Sequence, residues 1–253
     1  MIDFNCFSGN WPFHKVRNNT VEKIRKAHID NNIEYGYISS LESIFYNDFF
    51  ESESELYHKI KNTNYKQVIT VNPMLDGCIE NIMRCIREFD IAGIRLLPGF
   101  HGYTLDCDIL KPVLEIVREY KLPVFLNLRM EDERVLHMFE PKTVETDDIE
   151  RFIKQNNDIT ILLCNIRIHE IMKIRDSIIN CPKVFCDTSG LKGWRFDEEE
   201  LGDVTNRIIY GSLAPIFALK STVLFVEKGI CNNKTKEMIK SGANFLLSIN
   251  DKI

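Results

Sequence analysis

Eight short apolar runs, separated by helical patterns, constrain the fold of this 253-residue chain more than any other feature. Each run is rich in β-branched or aromatic residues and is bounded by turn residues, which is typical of a buried strand. The predicted strands cover residues 2–7, 33–39, 67–72, 91–97, 122–128, 159–164, 183–187 and 207–210.

Helical periodicity fills the segments between the strands. Residues 20–31 open with Thr20, a good N-cap, and place Val21, Ile24 and His28 at helical spacing. The other predicted helices cover 42–62, 78–89, 108–120, 146–155, 168–179, 215–228 and 233–241. This alternation predicts an α/β fold with parallel strands. Eight repeats favour a closed (β/α)8 TIM barrel, a single domain over 1–253, and a doubly wound open sheet is the alternative.

Composition and charge limit the partners. The content of hydrophobic residues is 44% and that of charged residues is 27%, as in soluble globular proteins. The net charge of -5 provides no basic surface, so we predict no nucleic-acid partner and no membrane partner. The N-terminal sequence lacks a basic, apolar leader and no apolar run is long enough to span a bilayer, so we expect a cytoplasmic protein.

Eight cysteines are scattered along the chain without a C-x-x-C pair, and several lie inside apolar runs. We therefore expect reduced, buried side chains rather than disulfides or a zinc site. A nucleophilic thiol at Cys6 or Cys164 is the alternative, and packing is the preferred interpretation of both.

The stretch LPVFLNLRMEDERVLHM, residues 122–138, carries the strongest functional signal. It begins as a buried strand and then brings a cluster of polar residues: Asn127, Arg129, Glu131, Asp132, Glu133, Arg134 and His137. In an α/β enzyme such a cluster lies at the carboxyl end of the sheet, where arginine, carboxylate and histidine together hold an anion and move a proton. The alternative is an ordinary helix start, with the acids at its positive end and Arg134 paired with them.

Several stretches, taken in their order along the chain, resemble the amidohydrolase superfamily, in particular its amidohydrolase-2 branch of TIM-barrel metal-dependent hydrolases. The resemblance spans nearly the whole chain. It rests on IDFNCFSGNWPF, GIRLLPGFHGYTLD, LPVFLNLRMEDER, VFCDTSG and IIYGSLAP, followed by a closing helix pair that contains SGANFLL. It implies the barrel fold and a hydrolase activity.

The resemblance also implies where metal ligands would stand, and this sequence departs from the pattern. Metal-dependent members begin with D-x-H-x-H and have further ligands after strands five, six and eight. Asp3 is present, but the ligand positions hold Asn5, Phe7, Asn127, Cys164 with Asn165, and Leu213. Too few histidine, cysteine or carboxylate ligands are left for a tight site. We therefore expect a degenerate metal site, no cofactor, and no metal-activated hydroxide.

Polar residues after the predicted strands supply other candidates. Asn5, Asn127 and Asn165 are expected to point into the barrel mouth, where they bind a substrate or hydrogen-bond one another and fill the former metal cavity. His101 is a candidate for proton transfer and Tyr103 for orienting substrate. The alternative for these two is a surface loop whose aromatic residue packs on the rim.

Charged residues complete the predicted site. Arg129 is the best anion binder, and Arg134 is a second substrate-binding candidate. Asp132 or Glu131 would serve as a base or orient His137.

Two further candidates come from other strands. Asp187 is a second candidate base, although it equally fits a cap on the turn that follows it. Trp11 would close over a substrate or pack on Phe13, and packing is preferred. His14, His28, His58 and His169 are interpreted as non-catalytic.

Three functions are consistent with these residues. The first is a metal-independent hydrolase or lyase of a small polar, anionic substrate. Arg129 would bind the anion, and His101 with Asp132 or Asp187 would perform the acid-base steps. The second is a non-catalytic relative that binds a metabolite or a partner protein. The third, ranked last, is a metal enzyme with a site rebuilt from His101, His137, Asp187 or Asp132.

Fold analogy alone does not choose among these functions. The predicted partner is a small-molecule substrate or ligand. A homo-oligomer is left open, because barrels of this size often dimerise and the sequence identifies no interface.

Overall fold

Eight parallel strands lie side by side in chain order in the computed structural model of the chain, which describes residues 1–131, 139–191 and 196–250. They are β1 (Ile2–Ser8), β2 (Tyr35–Ser40), β3 (Lys66–Val71), β4 (Ile91–Leu96), β5 (Val124–Asn127), β6 (Ile161–Cys164), β7 (Val184–Asp187) and β8 (Ile208–Ile209). The Phe4 amide donates to the Tyr210 carbonyl at 2.9 Å, and the Phe7 amide to the Ala214 carbonyl at 2.7 Å. These bonds close the sheet on itself, so the predicted TIM barrel is confirmed and the open-sheet alternative is wrong.

Helices follow the strands and cover the outside of the barrel. The described α-helices are α1 (Val21–Ile29), α2 (Phe49–Ile60), α3 (Cys78–Glu88), α4 (Pro98–His101), α5 (Lys111–Glu119), α6 (Thr146–Gln155), α7 (Ile168–Lys173), α8 (Arg175–Asn180), α9 (Glu198–Leu201), α10 (Leu219–Leu224), α11 (Asn233–Ser241) and α12 (Ala243–Asn250). Short 3-10 turns lie at Glu42–Ile44, Asp108–Leu110, Ser189–Leu191 and Gly202–Arg207, and a π turn at Phe225–Gly229. No helix within the described ranges has the length and apolar character to cross a membrane.

Three predicted helices differ from the observed ones. The predicted helix 42–62 is a 3-10 turn followed by α2, since the Asp48 carboxylate accepts from the Phe50 amide at 2.9 Å and starts a new helix there. The predicted helix 168–179 is divided into α7 and α8 at Ile174. The predicted helix 215–228 begins only at Leu219 and ends in the π turn.

The cysteines largely follow the prediction. All eight are free thiols and six of them are buried. Cys107 is half-buried and Cys231 is exposed, so the expected burial is wrong for these two, which lie outside the strands.

An aromatic layer fills the amino-terminal end of the barrel. The ring of Phe4 stacks on Tyr37 at a centroid distance of 5.1 Å. Phe245 of α12 packs edge-on against Phe4 at 5.2 Å and against Phe185 at 5.4 Å. Because Phe245 is fully buried among rings from several strands, α12 closes this end of the barrel, and solvent is excluded from below.

We predict that Phe245→Ala destabilises the barrel by about 3–5 kcal/mol, because it removes a fully buried ring and leaves a cavity. Leu247→Ala, in the same helix at a side chain 66% exposed, is the matched control and should change stability by less than about 0.5 kcal/mol. Urea unfolding of the two variants measures the difference. Equal losses would show that α12 does not close the barrel as described.

Candidate functional site

A fully buried arginine lies at the centre of the barrel, one layer above the aromatic rings. Arg95 of β4 donates from Nε to the Ser39 hydroxyl at 2.8 Å. Its Nη1 donates to the Asn5 Oδ1 at 2.8 Å and also to the Asn127 Oδ1. The guanidinium carbon lies 4.3 Å from the centroid of the Phe7 ring. Burial lowers the pKa of Arg95, while nearby Cys164, Cys6 and Asp187 oppose that shift.

Asn5 connects this cation to a buried carboxylate. While its Oδ1 accepts from Arg95, its Nδ2 donates to the Asp187 Oδ2 at 2.6 Å. Asp187 also accepts from the Asn165 amide at 2.9 Å and from the Ser189 hydroxyl at 2.8 Å. Burial raises the pKa of Asp187 to about 6, although these hydrogen bonds oppose the rise. One amide therefore separates a guanidinium from a carboxyl group that can hold or release a proton near neutral pH.

A second buried carboxylate stands behind β3. Glu53 of α2 accepts from the Thr70 amide at 2.9 Å and from the Gln67 side-chain amide at 2.8 Å. Burial raises the pKa of Glu53 to about 7, and its hydrogen bonds and the charge of Arg95 oppose the rise. This carboxyl group is therefore largely protonated in the folded protein at mildly acidic pH.

Apolar side chains cover the polar centre on the side of the barrel mouth. Phe7, Leu97, Met130 and Leu213 are almost fully buried and form one cluster with Trp11. Leu213 has a φ of 54°, an unfavourable conformation for leucine, and its amide donates to the Asn5 carbonyl at 2.7 Å. This backbone bond holds an apolar residue over the centre, and a strained position of this kind is common at functional sites.

Arg129, the predicted anion binder, already holds a carboxylate of this chain. Its Nη1 donates to the Glu170 Oε2 at 2.9 Å and to the Asn165 carbonyl at 2.6 Å, and its Nη2 donates to the Glu170 Oε1. Both side chains are about one-tenth exposed. A bidentate pair of this kind is a strong structural contact between the segment after β5 and α7. A substrate could bind to Arg129 only if Glu170 moved away from it. Substrate binding by Arg129 therefore stays a prediction.

His101 and Tyr103 do not form the surface loop that was the alternative. The His101 Nε2 donates to the Ile44 carbonyl at 3.0 Å, and burial lowers the pKa of His101 to about 4. The imidazole is therefore neutral at pH 7, with the lone pair of Nδ1 buried and without a hydrogen-bond partner among the described residues. Tyr103 belongs to the core between barrel and helices, and its hydroxyl likewise has no partner in the described part of the chain. Their catalytic roles stay predictions.

Other predicted residues divide into three groups. Asn5, Asn127 and Asp187 are brought together around Arg95, and Asn165 joins through its backbone amide. Trp11 packs edge-on against Phe13 at 5.3 Å, as the packing interpretation expected. Asp132, Arg134 and His137 lie outside the described residues.

The asparagines do not mainly bond one another, because Arg95 holds two of them. The Asn5 and Asn127 side-chain oxygens both accept from its Nη1. The remaining amide group of Asn127 donates to the Met130 sulfur at 3.4 Å. Two of the positions that correspond to ligands in the amidohydrolase pattern are thus organised by a cation that sequence reasoning did not single out. One feature of the sequence could have indicated this role: Arg95 is the one charged residue inside the apolar run 91–97, at an inward position of the strand.

The donor set at this centre does not fit the divalent metal that the amidohydrolase resemblance implies. The two amide oxygens that could ligate a metal both face a guanidinium, which would repel a second cation. Phe7 and Leu213, at two other ligand positions, offer no donor atoms from their side chains. A metal at this place would first have to displace Arg95 from both asparagines.

Comparison with known proteins identifies the fold. No protein-family model matches the chain. No curated protein matches it in sequence. An uncharacterised TIM-barrel protein from Bordetella bronchiseptica superposes with a TM-score of 0.73 at 13% identity, over 98% of both chains. The chain shares its fold with amidohydrolases: the structure of an amidohydrolase II superposes with a TM-score of 0.68 at 13% identity, over 99% of both chains.

A further neighbour is a decarboxylase. The dihydroxybenzoic acid decarboxylase from Polaromonas, solved with manganese and the inhibitor 2-nitroresorcinol, superposes with a TM-score of 0.71 at 13% identity. The match covers 97% of this chain and 96% of that one. At identities this low the superpositions show the (β/α)8 barrel fold alone, and the chemistry has to be argued from the residues of this chain.

We predict that Arg95→Met destabilises the protein by about 3–5 kcal/mol, because it leaves Asp187 as a buried charge without its cation and three polar partners unpaired. Arg151→Met makes the same substitution in a surface ion pair with Asp148 and should cost less than about 1 kcal/mol. Guanidinium unfolding monitored by circular dichroism compares the two. A similar small loss in both variants would contradict a central role for the buried cation.

We also predict that stability falls as pH rises through the range in which Glu53 titrates. Its pKa in the folded state, about 7, lies above its ordinary value of 4.5, so between these values the folded state holds a proton that the unfolded state has lost. Across this pH range the free energy of unfolding should fall by about 3 kcal/mol in total.

Glu53→Gln should flatten the dependence of the unfolding free energy on pH between about 5 and 7.5. Denaturant unfolding at several pH values tests this, and parallel curves for the variant and the unmodified protein would contradict it.

Proposed function

We propose that this protein is a hydrolase or lyase that acts on a small carboxylate without a divalent metal ion at the barrel centre. The observation that carries the proposal is Arg95, whose Nη1 is held by Asn5 and Asn127 while its Nη2 makes no hydrogen bond within the described residues. A guanidinium binds carboxylates through paired N–H groups. Arg95 is thus a built-in cation at the position where relatives with the metal pattern would place their ion.

Asp187 is the proton-transfer group in this proposal. It lies one amide away from Arg95, and its pKa of about 6 makes both protonation states accessible near neutral pH. In hydrolysis the ionised carboxylate takes a proton from the attacking water. In decarboxylation the protonated form gives its proton to the carbon that loses CO2, and solvent then restores the proton. Activity that falls as pH rises through about 6 would favour the lyase. Activity that rises over the same range would favour the hydrolase.

Aromatic carboxylates are the first ligands to test. One structural neighbour is a dihydroxybenzoic acid decarboxylase, and this supports a ring-bearing acid as the substrate class. Aromatic residues lie beside the cover of the barrel mouth, with Trp11 packed against Phe13, Phe45 and Phe100. Rings stack on such surfaces while a carboxylate turns toward a cation.

A non-catalytic barrel is the second candidate, and one observation favours it. Asn5, Arg95 and Asp187 are fully buried beneath Phe7 and Leu213. A ligand reaches Arg95 only if this cover moves. If it does not move, the polar centre stabilises a closed barrel and any binding occurs elsewhere.

Isothermal titration calorimetry with benzoate and 2,6-dihydroxybenzoate tests the proposal. Saturable binding to the unmodified protein, unchanged after treatment with EDTA, is the expected result. Arg95→Lys keeps the charge but loses the paired N–H groups, and it should weaken binding at least tenfold, equivalent to about 1.4 kcal/mol. Arg151→Lys on the surface is the matched control and should bind like the unmodified protein.

Two results would overturn the proposal, and each leads to a different alternative. Binding that EDTA abolishes and added manganese restores would place a metal in the site. No saturable binding of either acid, in a folded protein, would favour the non-catalytic barrel.

A further inference from the structure

A second polar cluster lies outside the barrel, between β1 and α1. Asp3 and Cys6 of β1 and His28 of α1 are each at most 1% exposed. One ligand-type atom from each residue lies within 4.8 Å of the other two. The His28 Nε2 is 3.2 Å from the Asp3 Oδ2. Carboxylate oxygen, thiolate sulfur and imidazole nitrogen are the ligands that zinc takes in proteins.

The imidazole nitrogen directed at this cluster has no hydrogen bond. Despite its closeness to Asp3, the His28 Nε2 is a buried polar atom without a hydrogen-bond partner among the described residues. The other ring nitrogen, Nδ1, is 2.6 Å from the Tyr65 hydroxyl. A hydroxyl both donates and accepts, so Tyr65 can hold the tautomer in which Nδ1 carries the proton and the Nε2 lone pair is free for a metal.

The charge of the cluster calls for a cation. Asp3 is fully buried and accepts from the Asn5 amide at 3.1 Å and the Ser212 amide at 2.9 Å. Within the part of the chain that the structure describes, no lysine or arginine forms an ion pair with it. A divalent ion bound to one carboxylate, one thiolate and one neutral imidazole gives a net charge of zero. The Ser212 hydroxyl also donates to the Asp3 Oδ2, and an ion would add charge neutralisation to these hydrogen bonds.

The backbone of β2 leaves room for the cluster. Gly36 lies so close that a Cβ at this position would approach the Cys6 sulfur to 2.6 Å and the His28 Cε1 to 3.2 Å. The Cys6 thiol also faces the Tyr37 carbonyl at 3.4 Å. That carbonyl oxygen or a water molecule would supply the fourth position of a tetrahedral ion.

We propose that Asp3, Cys6 and His28 form a buried zinc site that ties α1 to β1. Binding displaces the thiol proton of Cys6 to solvent, and the thiolate, the Asp3 carboxylate and the His28 Nε2 donate their electron pairs to the ion. The site is on the outer face of β1, whereas the metal that the amidohydrolase resemblance implies would lie inside the barrel. It would give the buried Cys6 thiol a ligand role in addition to packing, and it is independent of the Arg95 centre.

The test is the metal content of the protein purified without chelator from zinc-supplemented cells. Near-stoichiometric zinc is expected in the unmodified protein, with a loss of at least tenfold in Cys6→Ser and in His28→Gln. Asp187→Asn, which alters the barrel centre, should keep its zinc. Cobalt incorporated in place of zinc should give a thiolate-to-cobalt charge-transfer band, which reports the sulfur ligand directly.

The outcomes separate this inference from the proposed function. Zinc far below stoichiometry in the unmodified protein would overturn the inference and leave the Arg95 proposal intact. Metal kept in Cys6→Ser but lost from Asp187→Asn would place the ion at the barrel centre and overturn both. If Cys6→Ser does not fold, the cobalt spectrum of the unmodified protein still decides, because absence of the charge-transfer band would exclude Cys6 as a ligand.

Discussion

The structure depends on a positive charge that it removes completely from water. Burying the guanidinium of Arg95 costs several kcal/mol, and hydrogen bonds to a charged group return about 1.5–3 kcal/mol each. Three such bonds, to Ser39, Asn5 and Asn127, are of the right size to offset that cost. They also fix which way each asparagine amide points, so that Asn5 presents its NH2 group to Asp187. The cation thus orders residues from four other strands of the barrel, directly or through Asn5.

The same charge explains why the barrel carries apolar layers on both sides of its centre. Phe245 and the aromatic layer exclude water from below, and Phe7 with Leu213 excludes it from above. In this low-dielectric space the interactions of Arg95 are strong, but so is the penalty for leaving any partner unpaired. A closed polar centre can therefore serve as a rigid core or as a site that opens for a ligand. The proposed function requires the cover to move, and the non-catalytic alternative requires that it does not.

Sequence reasoning located the strands of the barrel to within a few residues but identified the centre only in part. It placed Asn5, Asn127 and Asp187 at strand ends, and these residues do converge. It assigned anion binding to Arg129 because an arginine beside a cluster of acids is a visible pattern, whereas Glu170, which holds that arginine, is 41 positions away along the chain. Arg95 was overlooked because a single charged residue inside an apolar strand forms no local pattern. His28 was set aside as a helix residue, although it meets Asp3 and Cys6 in the fold.

The sequence by itself determined the architecture, because strand and helix periodicities are local and their alternation leaves few ways to bury the apolar faces. The resemblance to the amidohydrolase pattern also predicted that its ligand positions hold residues unsuited to that metal, and this stays a prediction. Only the tertiary structure decided what occupies the centre, because side chains from β1, β2, β4, β5 and β7 meet there only after the barrel closes. Distances between atoms, burial and charge balance are properties of that closure. They select Arg95 and Asp187 as the candidate site, and Asp3, Cys6 and His28 as a second one.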